Sequence, residues 1–196
     1  MYTLRILTAL TDNPKRLVDD AGSNITGYDV SGELCVRGPI TSPGYFENPK
    51  ANGEAFRNGW FHTGDIAYCD SKSKKWYIVD RKKEMIKVRG FQVAPPELEA
   101  VLLGHPQIID AAIIGVYPKG VEGGEAPRAY VIRRPGPEGA KLTAEDVKRY
   151  LEPRLAKYKA LDGGVVFVDA IPKTASGKIL KRTLRDQAKQ EMNSKL

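Results

Sequence analysis

Cysteine, histidine and methionine are scarce in this chain of 196 residues, at two, two and three copies. Cys35 and Cys69 are too few to build the disulfide framework of a small secreted domain. Both stand in strand-like stretches and are expected as buried free thiols, which suits a reducing compartment. His62 and His105 form no metal-spaced cluster, so no metal site is expected from this chain's own residues. No apolar run approaches the roughly 20 residues of a membrane-spanning helix. Residues 1–16 lack the charged and apolar regions of a secretory signal. Nothing resembles an RNA-recognition motif, a zinc finger or a basic zipper, so nucleic acid is not an expected partner.

Lysine and arginine are plentiful. The balance of 31 basic against 24 acidic residues gives a formal charge of +7. A solvated surface accounts for that excess, and attraction to an anionic small molecule accounts for it equally well. Hydrophobic residues make up 41% of the chain, enough for a core.

The first part of the chain reads as short strands and turns. Residues 32–37 form a strand that ends at Gly38-Pro39, with a second turn at Pro43-Gly44. A weak helix is expected over residues 49–56, with proline in its first turn and Gly53 against it. Asn58-Gly59 turns the chain into Trp60-Phe61, and strands at residues 65–69 and 75–79 flank a charged loop. The pattern changes after Asp80. Residues 85–88 and 92–93 pair around Arg89-Gly90, and a helix follows over residues 96–103, with proline at its start and Gly104 past its end. Strands are expected at residues 108–116 and 128–133, then a surface loop at residues 135–139. Thr143 caps a second helix with Asp146 three residues on, and Val147, Tyr150, Leu151 and Leu155 share a face that Pro153 should interrupt. A strand at residues 164–168 and a helix at residues 180–190 complete an α+β order. Residues 1–79 read as a β-rich piece of something larger. Residues 80–196 read as a small α+β domain, with a hinge near residues 80–83.

Three constellations carry chemistry. Gly59-Trp60-Phe61-His62-Thr63-Gly64-Asp65 ends on a carboxylate that can accept two hydroxyl donors at once. Alone, a Gly-Asp pair at a strand start is a common turn that Asp65 would cap. Asp80-Arg81-Lys82-Lys83-Glu84-Met85-Ile86-Lys87 continues through Val88-Arg89-Gly90-Phe91-Gln92-Val93-Ala94-Pro95 to Glu97-Leu98-Glu99. Alone, it is a solvated charge run followed by a hairpin. Pro172-Lys173-Thr174-Ala175-Ser176-Gly177-Lys178-Ile179 is a Gly/Ser turn that presents a lysine ahead of a basic helix. Lys181, Arg182, Arg185 and Lys189 are expected on the solvated face of that helix.

Together and in this order, the three segments resemble the C-terminal third of the adenylate-forming enzymes, and within them the 4-coumarate–CoA ligase-like acyl-CoA ligases. The resemblance covers roughly residues 16–196; residues 1–15 match nothing. It implies the small C-terminal α+β domain of that fold, preceded by a β-rich remnant of a large AMP-binding domain. The activity it implies is ATP-dependent ligation of a carboxylic acid to coenzyme A through an acyl-adenylate, with AMP and pyrophosphate as products. By resemblance, Asp65 meets the ribose of ATP or AMP, Arg81 meets ribose or phosphate, and Lys83 is the hinge residue. Lys87 and Gln92 match positions that face the acyl-adenylate. Arg89 and Gly90 match the turn along which the pantetheine arm of coenzyme A passes, and Lys178 matches the adenylation lysine. That lysine suits the chemistry, because a carboxylate and a triphosphate, both anionic, must meet while charge builds on oxygen.

The family's Gly/Ser/Thr-rich phosphate loop and its magnesium-holding Thr-Thr-Glu-like segment do not occur here. Magnesium is therefore implied only through a large N-terminal domain outside this sequence, and the chain alone is expected to have little turnover. The selecting pocket is also outside it, so the acid is not named. Ser194-Lys195-Leu196 reads as a peroxisomal address, with the import receptor as partner. A non-catalytic module binding coenzyme A or a protein remains an alternative. A luciferase-type oxygenase fragment and a peptide-synthetase domain fit less well.

Overall fold

The computed structural model describes residues 14–39, 41–118 and 124–193. The expectations for residues 1–13 and for Ser194-Lys195-Leu196 lie outside the described residues. The chain divides into two compact units between Lys83 and Glu84.

In the unit before that division, the strands are β1 (Lys15–Val18), β2 (Asn24–Ile25), β3 (Gly32–Val36), β4 (Phe56–Arg57), β5 (Trp60–Cys69) and β6 (Trp76–Arg81). They form an antiparallel sheet in the order β2-β1-β3-β5, and β4 and β6 both pair with β5. Leu17, Leu34, Val36 and Ala67 make its core, with Ile25, Phe61 and Trp76 packed against them. Helix α1 (Pro49–Ala55) starts where proline suits the first turn, and the Asn48 side chain accepts from the Ala51 N–H. Asn58 and Gly59, at φ 51° and 74°, make the two-residue turn between β4 and β5. Strand β5 is longer than the sequence suggests, running from Trp60 and not from Asp65. Its neighbours make the difference, because Trp60 and Phe61 pair with β4, and Phe61 and His62 pair with β3. Strands β1 and β2 were not anticipated. Cys35 and Cys69 are buried free thiols in β3 and β5.

The second unit opens with a two-residue hairpin between β7 (Ile86–Val88) and β8 (Phe91–Val93). Helix α2 (Pro95–Leu103) follows, then β9 (Ile108–Val116), β10 (Ala126–Arg133), α3 (Pro137–Ala140), α4 (Ala144–Leu151), β11 (Val165–Phe167) and α5 (Lys181–Asn193). The sheet runs β11-β10-β9, antiparallel between β9 and β10 and parallel between β10 and β11. Alternation sorts the side chains by face. Ala111, Ile113, Ala129 and Val131 join Leu98 and Leu102 of α2 and Val147 and Leu151 of α4, and Ile108 joins them past the register shift at Ile132/Arg133. Ala112, Ile114, Val116 and Tyr130 join Leu184 and Ala188 of α5. A sheet covered on both faces needs near-continuous apolar strands, as the run Ile108–Val116 shows.

Helix α4 has the anticipated capping box: the Asp146 N–H donates to Thr143 Oγ1 at 3.2 Å, and the Thr143 N–H donates to the Asp146 carboxylate at 3.1 Å. The helix ends before Pro153. Gly104 ends α2 at φ −77°, so glycine's left-handed freedom is not the reason for it. A side chain there would come within 3.3 Å of the Tyr150 hydroxyl. The expected loop at residues 135–139 contains the single turn α3. Among the described residues no helix is long and apolar enough to cross a membrane.

Candidate functional site

Asp65 and Arg81 meet in the first unit. They are cross-strand partners on β5 and β6, and form an ion pair with Arg81 Nε 2.8 Å from Asp65 Oδ1. Asp65 stands within β5 and not in a turn at its start. The register with β3 jumps from Cys35↔His62 to Glu33↔Ile66, so Thr63, Gly64 and Asp65 form a bulge. Gly64 takes φ 70°, which a side chain would resist. Thr63 Oγ1 donates to the Leu34 carbonyl at 2.9 Å and accepts from the Asp65 N–H at 3.0 Å. The Thr-Gly-Asp motif is therefore a device for turning one carboxylate out of a strand.

Behind it lies a polar cluster that the sequence did not reveal. Glu33, on β3 and 8% exposed, receives Lys82 Nζ at 3.0 Å and lies 3.3 Å from His62 Nδ1. Burial pushes the Glu33 carboxyl upward, but hydrogen bonds from Lys82 and His62 and their charges outweigh it and hold it below its ordinary value. Burial also opposes the charge on Lys82, and Glu33 and Asp20 more than compensate, so its ammonium titrates higher than usual. Burial pushes the Cys35 thiol up, away from a reactive thiolate. Lys83 is exposed, in the one-turn helix Lys82–Glu84.

In the second unit, Lys87, Arg89, Gly90 and Gln92 share one hairpin. Lys87 and Gln92 are cross-strand partners, so both side chains lie on its exposed face, while Ile86, Val88 and Val93 enter the core. Arg89 at φ 47° and Gly90 at φ 85° form the turn. Among the described residues, and apart from its chain neighbours, nothing lies within 4 Å of where a Gly90 side chain would begin, so the glycine serves the turn. The hairpin has a second edge: the Lys87 N–H donates to the Glu125 carboxylate and the Glu125 N–H to the Lys87 carbonyl, each at 2.9 Å. Phe91 stacks on Tyr158 at 4.4 Å between centroids, which fixes the outer strand.

Lys178 stands on a different hairpin, whose arms meet at Lys173↔Ile179. The Thr174 N–H donates to the Lys178 carbonyl at 2.8 Å, and the Lys178 N–H donates to Thr174 Oγ1 at 3.1 Å. Gly177 turns the tip at φ 81°. The backbone of Lys178 is thus fixed, and its reach comes from an exposed side chain with no ion-pair partner among the described residues. Not all of the basic residues that follow are a solvated face, contrary to expectation. Arg182 and Lys189 are exposed, but Lys181 pairs with Glu99 at 3.5 Å and Arg185 with Glu84 at 2.6 Å. Those acids lie far back in sequence, where helical spacing cannot reveal them.

Residues 97–178 match the family model of the AMP-binding enzyme C-terminal domain. The chain is 57% identical over 175 residues to the acyl-CoA synthetase ACTT5 of Alternaria alternata, covering 88% of this chain and 30% of that protein. It is 52% identical over 178 residues to the phenylacetyl-CoA ligase epaB of Aspergillus niger, covering 90% of this chain and 32% of the relative. Its fold superposes on ATP-bound MatB from Rhodopseudomonas palustris with a TM-score of 0.78 at 31% identity, over 90% of this chain and 34% of that one. The chain thus spans about a third of the length of these relatives.

Proposed function

We propose that this chain, whose residues 97–178 match the family model of the AMP-binding enzyme C-terminal domain, serves as the C-terminal part of an ATP-dependent carboxylic acid–CoA ligase. The observation that carries this reading is Lys178, an exposed lysine on a backbone that its own hairpin holds in place. In the first step a carboxylate oxygen attacks the α-phosphorus of ATP and pyrophosphate leaves. The Lys178 ammonium holds the two anions together and offsets charge on the phosphate oxygens. Asp65 accepts from ribose hydroxyls, and Arg81, held beside it by their ion pair, meets ribose or phosphate oxygen. In the second step the sulfur of coenzyme A attacks the acyl carbon and AMP leaves. Lys87 and Gln92 face the adenylate from one hairpin face, and the open turn at Arg89-Gly90 gives the pantetheine arm a smooth backbone. Lys83 is the residue we assign to the hinge.

The test is acid-dependent ATP–pyrophosphate exchange by the protein that joins this segment to a phosphate-binding upstream region, compared with the 196-residue chain. The chain alone should give no exchange, because its sequence contains no phosphate loop. In the joined protein Lys178→Ala should lower the rate about 10²–10³-fold, in line with loss of one transition-state donor, with little change in KM for ATP. An unchanged rate would remove Lys178 from the chemistry.

A further inference from the structure

The reading of Lys178 leaves a buried charge unexplained. Glu99 is 3% exposed on α2, among the apolar residues that pack on the sheet. Its Oε1 accepts from the Ile113 N–H of β9 at 2.9 Å. The same oxygen lies 3.5 Å from Nζ of Lys181, whose side chain is 12% exposed. Burying a carboxylate costs several kcal/mol, about the scale of a whole core side chain, unless partners compensate it. A structural need at β9 alone would be met by a neutral glutamine. The ion pair therefore points to a role for the lysine end.

Lys181 opens α5, a helix whose first turn holds no acidic residue. A cation there opposes the helix dipole, so the position is unfavourable without an acid from elsewhere. Glu99 supplies that acid. Lys181 also lies three residues beyond Lys178, at the root of the hairpin. The other root is tied as well, by Lys173 Nζ to Asp110 Oδ2 of β9 at 2.6 Å and by the Leu180 N–H to the Pro172 carbonyl at 2.8 Å. Both roots thus rest on one rigid body, α2 with β9, while the tip is exposed.

Resting on the ligase reading, we infer that Glu99 is a positioning residue for Lys178: through Lys181 it fixes the C-terminal root of the hairpin that presents the adenylation lysine. The test is native-state amide exchange of the full chain, comparing Glu99→Gln, Lys181→Met and Lys181→Arg. Glu99→Gln keeps an acceptor for the Ile113 N–H, and Lys181→Met leaves Glu99 itself in place, so a folding failure in one is covered by the other. In both, the amides of Thr174, Gly177, Lys178 and Leu180 should exchange about tenfold faster or more, while β9 and β10 amides keep their rates. Lys181→Arg should restore protection. Acceleration of the hairpin and the sheet by the same factor would show a role in stability only and overturn the inference. Unaltered hairpin exchange in both variants would overturn it too, without touching the ligase reading. Selective loosening, together with a Lys178→Ala variant of the joined protein that keeps full pyrophosphate exchange, would uphold the anchoring and sink the ligase reading instead.

Discussion

Glu33 shows how one buried side chain can link the strands that carry Asp65 and Arg81. It lies one residue from Leu34, whose carbonyl anchors Thr63, and it binds Lys82, the neighbour of Arg81. Lys82→Met leaves the buried carboxylate with fewer partners and should cost the unit of residues 14–83 about 1–3 kcal/mol, the range for a buried polar group deprived of a bond. The double variant Glu33→Gln/Lys82→Met should cost less than the sum of the two single changes, because the second loss removes a group already stranded. Urea unfolding read at Leu34 would measure both. Strict additivity would mean that the two side chains do not interact in solution.

At the scale of elements, Gly90 in the β7–β8 turn and Gly124, bridged to Val88 of β7, separate conformational freedom from space. Gly90 has φ 85° and open surroundings, so Gly90→Ala should cost only the left-handed strain, about 1–2 kcal/mol. Gly124 has φ 107°, and a Cβ there would lie 2.8 Å from the Lys87 carbonyl, a paired backbone atom that cannot yield. Gly124→Ala should add about 1–3 kcal/mol of overpacking to the strain. Thermal unfolding of the two variants would compare them, and equal losses would mean that the turn at Gly90 is not open. The same hairpin shows what a sequence exposes. Arg89-Gly90, Asn58-Gly59 and the Thr143–Asp146 box are local, since each needs only residues that adjoin in the chain, and all were legible. The roles of Glu99, Glu125 and Asp110 were not, because each serves a partner on another element. Strand β1 was hidden for the same reason: Lys15–Val18 is short, and pairing with β3 and β2 makes it a strand. Asp65 was legible as a residue, but the bulge that presents it was not, since a register shift belongs to two strands together.

For the whole chain, acid should act on the two units at different pH, because their titrating groups differ. His105 in the second unit lies edge-on to Tyr150 at 4.6 Å, and its Nδ1 accepts from the Gln107 N–H at 3.1 Å, which requires that nitrogen to be unprotonated. Burial lowers its proton affinity most, and Asp146 pulls the other way without reversing it. A histidine whose folded value is depressed contributes stability that is complete above its unfolded value, 6.5, and is lost as pH falls through the lower folded one. Glu33 in the first unit is likewise depressed, but from 4.5, so its contribution survives until more acid conditions. Urea midpoints read by NMR at Ala129 in β10 should therefore fall as pH drops below 6.5, while those at Leu34 in β3 hold until the carboxylate range. His105→Asn offers a non-titrating acceptor near the position of Nδ1 and should flatten the Ala129 dependence over that range. A parallel fall at both probes, or the same slope in His105→Asn, would place the acid sensitivity elsewhere than in this imidazole.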